Sequence, residues 1–226
     1  MKKISIASLA CLLSLGVYAQ DVGLSFSYFI PRHGYFSTPI SPFSIRGIGF
    51  NMNRYLALET GASLYRMSGL SMTGLPFESQ EPLLGPNFTI FVPVELVLQF
   101  VGKQAKFDIK GGAFGFFGFD QKLNYGNIDR AIRQFENWDV ANATLDFKNN
   151  PGFGFHAGVE FTFYVTRQFG ISIEANYLMG EAQFPLTGSY TGGTASAFDT
   201  RAVNYSEAKV DFTGLEFSIG IIFTGR

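Results

Sequence analysis

FGFHAGVEFTFYV, residues 153–165, alternates large apolar side chains with small or polar ones without a break. Phe153, Phe155, Ala157, Val159, Phe161, Phe163 and Val165 fall on one face, and Gly154, His156, Gly158, Glu160, Thr162 and Tyr164 on the other. Successive side chains of a strand point to opposite faces, so a sustained period of two predicts a β-strand lying between two unlike environments. Which environment lies on the phenylalanine side decides the fold.

The same alternation recurs seven times. Leu24, Phe26, Tyr28 and Ile30 share a face, as do Ile48, Phe50 and Met52; Leu56, Leu58, Ala62 and Leu64; and Phe88, Ile90, Val92, Val94, Leu96, Leu98 and Phe100. Phe107, Ile109, Ala113, Phe117 and Phe119 follow, then Ile171, Ile173, Ala175, Tyr177 and Met179, and last Leu215, Phe217, Ile219, Ile221 and Phe223. That makes eight segments, most of about 9 to 13 residues, long enough to cross a bilayer when tilted. Short turns are expected at residues 53–55, 101–105 and 166–168, and long polar or Gly/Pro-rich loops at 32–42, 68–87, 121–151 and about 181–209. An even strand number with short turns on one side and long loops on the other is the pattern of a transmembrane barrel.

Composition and packing point the same way. The chain of 226 residues is 16% aromatic, with 26 Phe and 26 Gly, and only 15% charged; about 25% is usual for a soluble domain. About forty large apolar side chains lie on the alternating faces, too many for the interior of an eight-stranded barrel. Turned to water they would cost on the order of 60–120 kcal/mol, at roughly 1.5–3 kcal/mol each. Lipid is the environment that favours them, and Tyr28, Phe88, Phe100, Phe107, Phe119, Phe153, Phe163 and Phe223 near strand ends fit interfacial girdles.

Residues 1–19 read as a secretory signal peptide: Lys2 and Lys3, a short apolar run over 4–17, and Val17-Tyr18-Ala19 as a small-x-small cleavage site. The remainder, 20–226, is expected to be the barrel domain. The only cysteine, Cys11, falls in the signal, so no disulfide is expected in the exported chain. The signal carries two lysines and no acid, which leaves 15 Lys and Arg against 18 Asp and Glu and a net charge of −3. Nucleic acid is therefore not expected as a partner.

On this strand pattern and loop rhythm, the chain resembles the small eight-stranded outer-membrane barrels of Gram-negative bacteria, the OmpA/OmpX-type and porin-like β-barrel family. The resemblance covers about residues 20–226 and implies an all-β, eight-stranded antiparallel up-and-down transmembrane β-barrel in the outer membrane. In that family the last strand ends in an aromatic; here Phe223 is followed by Thr224-Gly225-Arg226.

By parity, Glu59, Glu95, Asp108, Lys110, Glu160, Glu174 and Glu216 point into the lumen, most within a few residues of one level, with His156 the only inward histidine. Six acids against one lysine cannot all stay ionised in so confined a space unless paired or holding a cation. The simplest expectation is a polar network that fills the lumen, with Tyr164, Thr162, Ser172 and His156 as hydrogen-bond partners; the alternative is a narrow path for cations or small solutes. Arg46 falls on the lipid face by parity, which implies either snorkelling to the rim or a β-bulge.

No catalytic, cofactor-binding or metal residues are assigned: CxxC, HExxH and a His pair at ligand spacing are all missing from the sequence. GGAFGFFG, residues 111–118, lies within a strand pattern and lacks the lysine of a phosphate loop. A lipid-modifying enzyme would need a Ser and a carboxylate placed around a His at the lipid boundary, whereas His156 is flanked by Phe155 and Ala157 and faces inward. In the third loop, Ile128, Ala131, Ile132, Phe135 and Trp138 recur at helical spacing after Asn127, a candidate N-cap. Residues 188–196 read as a flexible surface loop. The expectation is a monomer surrounded by outer-membrane lipid, with a structural or contact role through loops that could engage an extracellular protein or glycan.

Overall fold

The computed structural model of the protein describes residues 21–35, 38–195 and 197–224. The expected signal peptide and Cys11 lie outside these residues. In chain order the strands are β1 (Asp21–Pro31), β2 (Gly34–Tyr35), β3 (Thr38–Asn51), β4 (Leu56–Met67), β5 (Gly69–Leu70), β6 (Met72–Thr73), β7 (Asn87–Val101) and β8 (Ala105–Phe119). Helix α1 (Tyr125–Glu136) is followed by β9 (Val140–Phe147), β10 (Gly152–Tyr164), β11 (Phe169–Gln183), β12 (Leu186–Thr194), β13 (Ala197–Tyr205), β14 (Lys209–Asp211) and β15 (Gly214–Thr224).

Eight of these strands close into an antiparallel barrel in the order β1-β3-β4-β7-β8-β10-β11-β15. Closure is between the first and last, from Asp21 opposite Thr224 to Pro31 opposite Gly214. A closed barrel leaves no unpaired backbone in hydrocarbon, which is what a lipid solvent demands. The opening stretch behaves as its pattern dictates: Phe153 is 71% exposed and Phe155, Phe161 and Phe163 also face outward, while His156, Glu160 and Thr162 are buried. The outward faces of β7, β11 and β15 are equally apolar, with Val94, Leu96, Ile173, Met179, Phe217 and Ile219 exposed. All three short turns fall where the alternation breaks, between β3 and β4, β7 and β8, and β10 and β11.

The long-loop side differs from the expectation of irregular loops. The first loop is shorter than 32–42, because β3 begins at Thr38. The segment around 188–196, expected to be flexible, instead contributes β12, the central strand of a three-stranded sheet ordered β13-β12-β9. Its sequence, LTGSYTGGT, alternates Thr and Ser with Leu, Gly and Tyr, and the glycines mask a β-branched rhythm. Helix α1 forms, but one turn earlier than Asn127 would start it: Asn124 is the cap, and its side chain accepts the Asn127 backbone N–H at 3.3 Å. Asn127 is buried and donates from Nδ2 to the Pro82 carbonyl at 2.8 Å. Ile128, Ala131 and Ile132 join the buried core of this layer, whereas Phe135 is exposed and Trp138 lies past the left-handed C-cap at Asn137.

Candidate functional site

All eight sequence-selected polar residues, Glu59, Glu95, Asp108, Lys110, His156, Glu160, Glu174 and Glu216, are buried inside the barrel. Two further cations join them: Lys106, which shares the parity of Asp108 and Lys110, and Arg46, which parity places outside. Lys106, beside the β7–β8 turn, points inward and pairs with Asp108 at 2.9 Å. Arg46 is the larger correction: it is 5% exposed and lies in the lumen instead of on the lipid face. The cause is a β-bulge. On β3, Ile45 pairs with Ala62 but Ile48 with Thr60, so Arg46 and Gly47 together oppose Gly61. Two residues against one resets the parity, and Gly47 takes the left-handed φ of +73° that such a kink requires.

The resulting network has a centre. Arg46 Nη2 donates to Glu216, which also accepts from the Tyr65 hydroxyl and, at 2.8 Å, from Asn176 Nδ2. Arg46 Nη1 stands 4.0 Å from both Glu95 and Glu174. Lys110 Nζ reaches Glu160 at 2.5 Å, Glu174 at 3.2 Å and Glu95 at 3.9 Å. His156 Nε2 bonds Glu95 at 2.9 Å, and Gln99 donates to Glu59 at 3.4 Å. Thus Arg46, Lys106 and Lys110 stand against six carboxylates, with His156 as the remaining group that can carry positive charge. Buried charges persist only when paired in this way. Two small spaces remain in this region, each about 20 Å³: one among Ser25, Arg46, Glu59, Lys106, Glu160 and Glu174, the other among Gly47, Phe50, Ala57, Glu59 and Gln99. Each has room for about one water molecule.

Towards the loop side the filling turns from polar to aromatic. Phe212, from the segment joining β14 to β15, inserts into the mouth and stacks on Phe29 (centroids 4.5 Å apart) and Phe116 (4.6 Å). Tyr65, Phe91 and Phe114 ring it at 6.2–6.4 Å. The His156 ring marks the boundary, touching Phe91 and Phe114 on one side and Glu95 on the other. Residues 121–151 thus do not supply the plug at the centre of the mouth; Phe212 does, and α1 packs in the layer above. The signal was present in the sequence as apolar residues on the inward face, Phe29, Phe91, Phe114, Phe116 and Leu178, all near the loop ends of their strands.

A second constellation lies in the external layer. The Tyr190 hydroxyl donates to Glu136 at 2.5 Å, Arg201 bridges Glu136 and Asp199, and the Arg201 guanidinium lies 5.3 Å from the centre of the Trp138 ring. Burial first, and then donation to the Glu136 carboxylate, push the Tyr190 phenol up to about 12. A raised pKa stabilises the fold below the unfolded value and loses that contribution as pH climbs through the folded one. We expect the tie from Tyr190 to α1 to hold up to about pH 10 and to fail by about pH 12. An ultraviolet phenolate titration, compared between wild type and Tyr190→Phe, checks this; a Tyr190 that ionises near 10 would show that the bond to Glu136 does not form.

Neither a protein-family model nor a curated protein sequence matches the chain. Solved structures do. The outer membrane protein OprG from Pseudomonas aeruginosa aligns over 90% of this chain and 94% of its own, at 10% identity and a TM-score of 0.54. A major outer membrane protein from Thermus thermophilus aligns over 90% and 98% at 8% identity and a TM-score of 0.45. Ail, the attachment invasion locus protein of Yersinia pestis, aligns over 90% and 94% at 10% identity and a TM-score of 0.39. Taken with the closed eight-stranded wall and its apolar exterior, the OprG likeness gives the chain the fold of the small outer-membrane β-barrel proteins.

Proposed function

We propose that this protein is a closed barrel anchored in the outer membrane, whose working part is the ordered external layer and whose role is surface contact. The observation that carries this is the filled lumen. A network centred on Arg46 and Lys110 occupies its middle, with a space of about 20 Å³ beside Arg46, Lys106 and Glu160, and the Phe212 stack occupies its external mouth. A barrel so filled holds its loops in a fixed arrangement, and precise placement of a contact surface is what a rigid scaffold supplies.

Planar-bilayer recording tests the reading. The purified protein is expected to show no steady conductance, and neutralising Glu95 and Glu160 to glutamine should leave the trace unchanged. Stepwise, ohmic current from wild type would overturn it. The excess of carboxylates over cations favours a second reading, a narrow path for cations. That path would show as cation-selective steps abolished by the same two substitutions.

A further inference from the structure

We propose that the free edge of β13 pairs antiparallel with β13 of a second copy of this chain in a facing membrane, a homotypic contact that rests on the closed-barrel, surface-contact reading above. β13 is the outer strand of the β13-β12-β9 sheet, and among the described residues nothing pairs with its other side. Eight of its nine residues are exposed or half-buried. Natural edges of this length are usually blunted by proline, lysine or a bulge. AFDTRAVNY has neither proline nor lysine, and its ladder with β12 runs unbroken from Ala197 to Tyr205. Such an edge is a template for another strand.

Charge selects the occupant. Two identical strands related by a two-fold axis perpendicular to the sheet keep each residue on its own face, so the registers open to them centre on a single residue. Centring on Asp199 sets two carboxylates opposite each other, and centring on Arg201 sets two guanidiniums opposite each other; both are unfavourable. Centring on Thr200 places Asp199 of each copy opposite Arg201 of the other. The same register brings Phe198, 69% exposed although it lies outside the lipid-facing wall, over Ala202 of the second copy, and Ala197 over Val203. One alignment thus sets opposite charges across both junctions, beside the bonds Arg201 already makes to Asp199 and Glu136 within each copy, and covers the exposed ring.

Direction follows from the ladders. β9 and β12 continue β10 and β11 beyond the membrane with a one-residue slip, from Phe153 opposite Glu181 to Phe147 opposite Leu186. β12 therefore leads away from the lipid band and β13 returns towards it. Antiparallel pairing of two such strands points the two barrels in opposite directions, which places them in apposed membranes while each stays a monomer in its own.

The test uses the protein reconstituted in lipid vesicles, in a Cys11→Ser background free of other thiols. Thr200→Cys should cross-link copy to copy under mild oxidation, and Thr191→Cys, on the central strand, should not. Wild-type vesicles should cluster, and Asp199→Arg or Arg201→Asp alone should weaken clustering by about tenfold or more by setting like charges opposite each other. Mixing the two variant populations restores both opposite-charge pairs, so clustering should return in the mixture only. Circular dichroism of each variant confirms that it is folded. Absence of clustering by wild type, equal cross-linking at both cysteines, or no recovery in the mixture would overturn the pairing. The closed-barrel reading fails separately, on bilayer conductance, so the two failures are distinguishable.

Discussion

Replacing Arg46 by methionine is expected to destabilise the barrel by about 3–5 kcal/mol, the cost of leaving a buried ion network without one of its partners. Arg46 is the cation that Glu216 bonds directly and that stands within 4.0 Å of Glu95 and Glu174. Its removal leaves Glu216 with the Tyr65 hydroxyl and Asn176 as donors and no cation bonded to it. Urea unfolding in lipid vesicles, followed by circular dichroism, measures the loss. A second substitution, Glu216→Gln, removes the stranded charge and should recover much of the stability, because an uncharged pair of similar volume does not need the ion. The experiment separates the two placements of this side chain. On the lipid face, where strict parity puts it, arginine is itself the liability, and methionine would be neutral or stabilising. A loss below about 1 kcal/mol, with no rescue by Glu216→Gln, would put Arg46 outside.

That contrast shows where the sequence was readable. The barrel was legible because lipid and lumen differ so sharply in polarity that a two-residue period runs through the spanning strands, broken on β3 by the bulge at Arg46-Gly47. Phe153, Phe155, Phe161 and Phe163 leave no choice of face. The same parity placed the inward acids, Lys110 and His156, and it also covered Lys106, which its closeness to the β7–β8 turn obscured. Parity fails at a bulge because the extra residue is a property of the pairing with the neighbouring strand and leaves no period of its own. Arg46-Gly47 is the instance: the sequence shows a charge on the wrong face followed by a glycine, and the partner strand decides which way the chain resets.

The external layer was less readable for a different reason. It is not in lipid, and its strands give a few residues, Ala143, Leu145, Leu186, Tyr190 and Val203, to the buried core that continues from the barrel mouth, so they carry no strong alternation. β12 is held by hydrogen bonds to strands on both sides, and its glycines let those neighbours approach closely. β13 is exposed along most of its length and looks like loop in composition. The cluster of Trp138, Tyr190, Arg201 and Glu136 brings together residues from the end of α1 to β13, and no spacing along the chain announces it.

Phe212→Ala is expected to cost about 3–5 kcal/mol of stability while leaving the barrel closed to ions. Phe212 is fully buried, and its ring is the shared member of five aromatic contacts, with Phe29, Tyr65, Phe91, Phe114 and Phe116. Truncation removes its dispersion contacts and leaves a cavity that a closed barrel wall, with every strand paired on both sides, has little freedom to collapse into. Phe212→Leu keeps most of the volume and should cost markedly less. Conductance should not appear, because the ion pairs from His156 and Glu95 down to Lys110 and Glu160 lie below the stack and none of them includes Phe212. The alternative has a clear signature: steady current through Phe212→Ala, none through wild type, would make the aromatic stack the sole barrier and Phe212 the gate of a channel. A stability loss with a silent trace assigns the ring to packing, and with it the lumen to structure and the external layer to function.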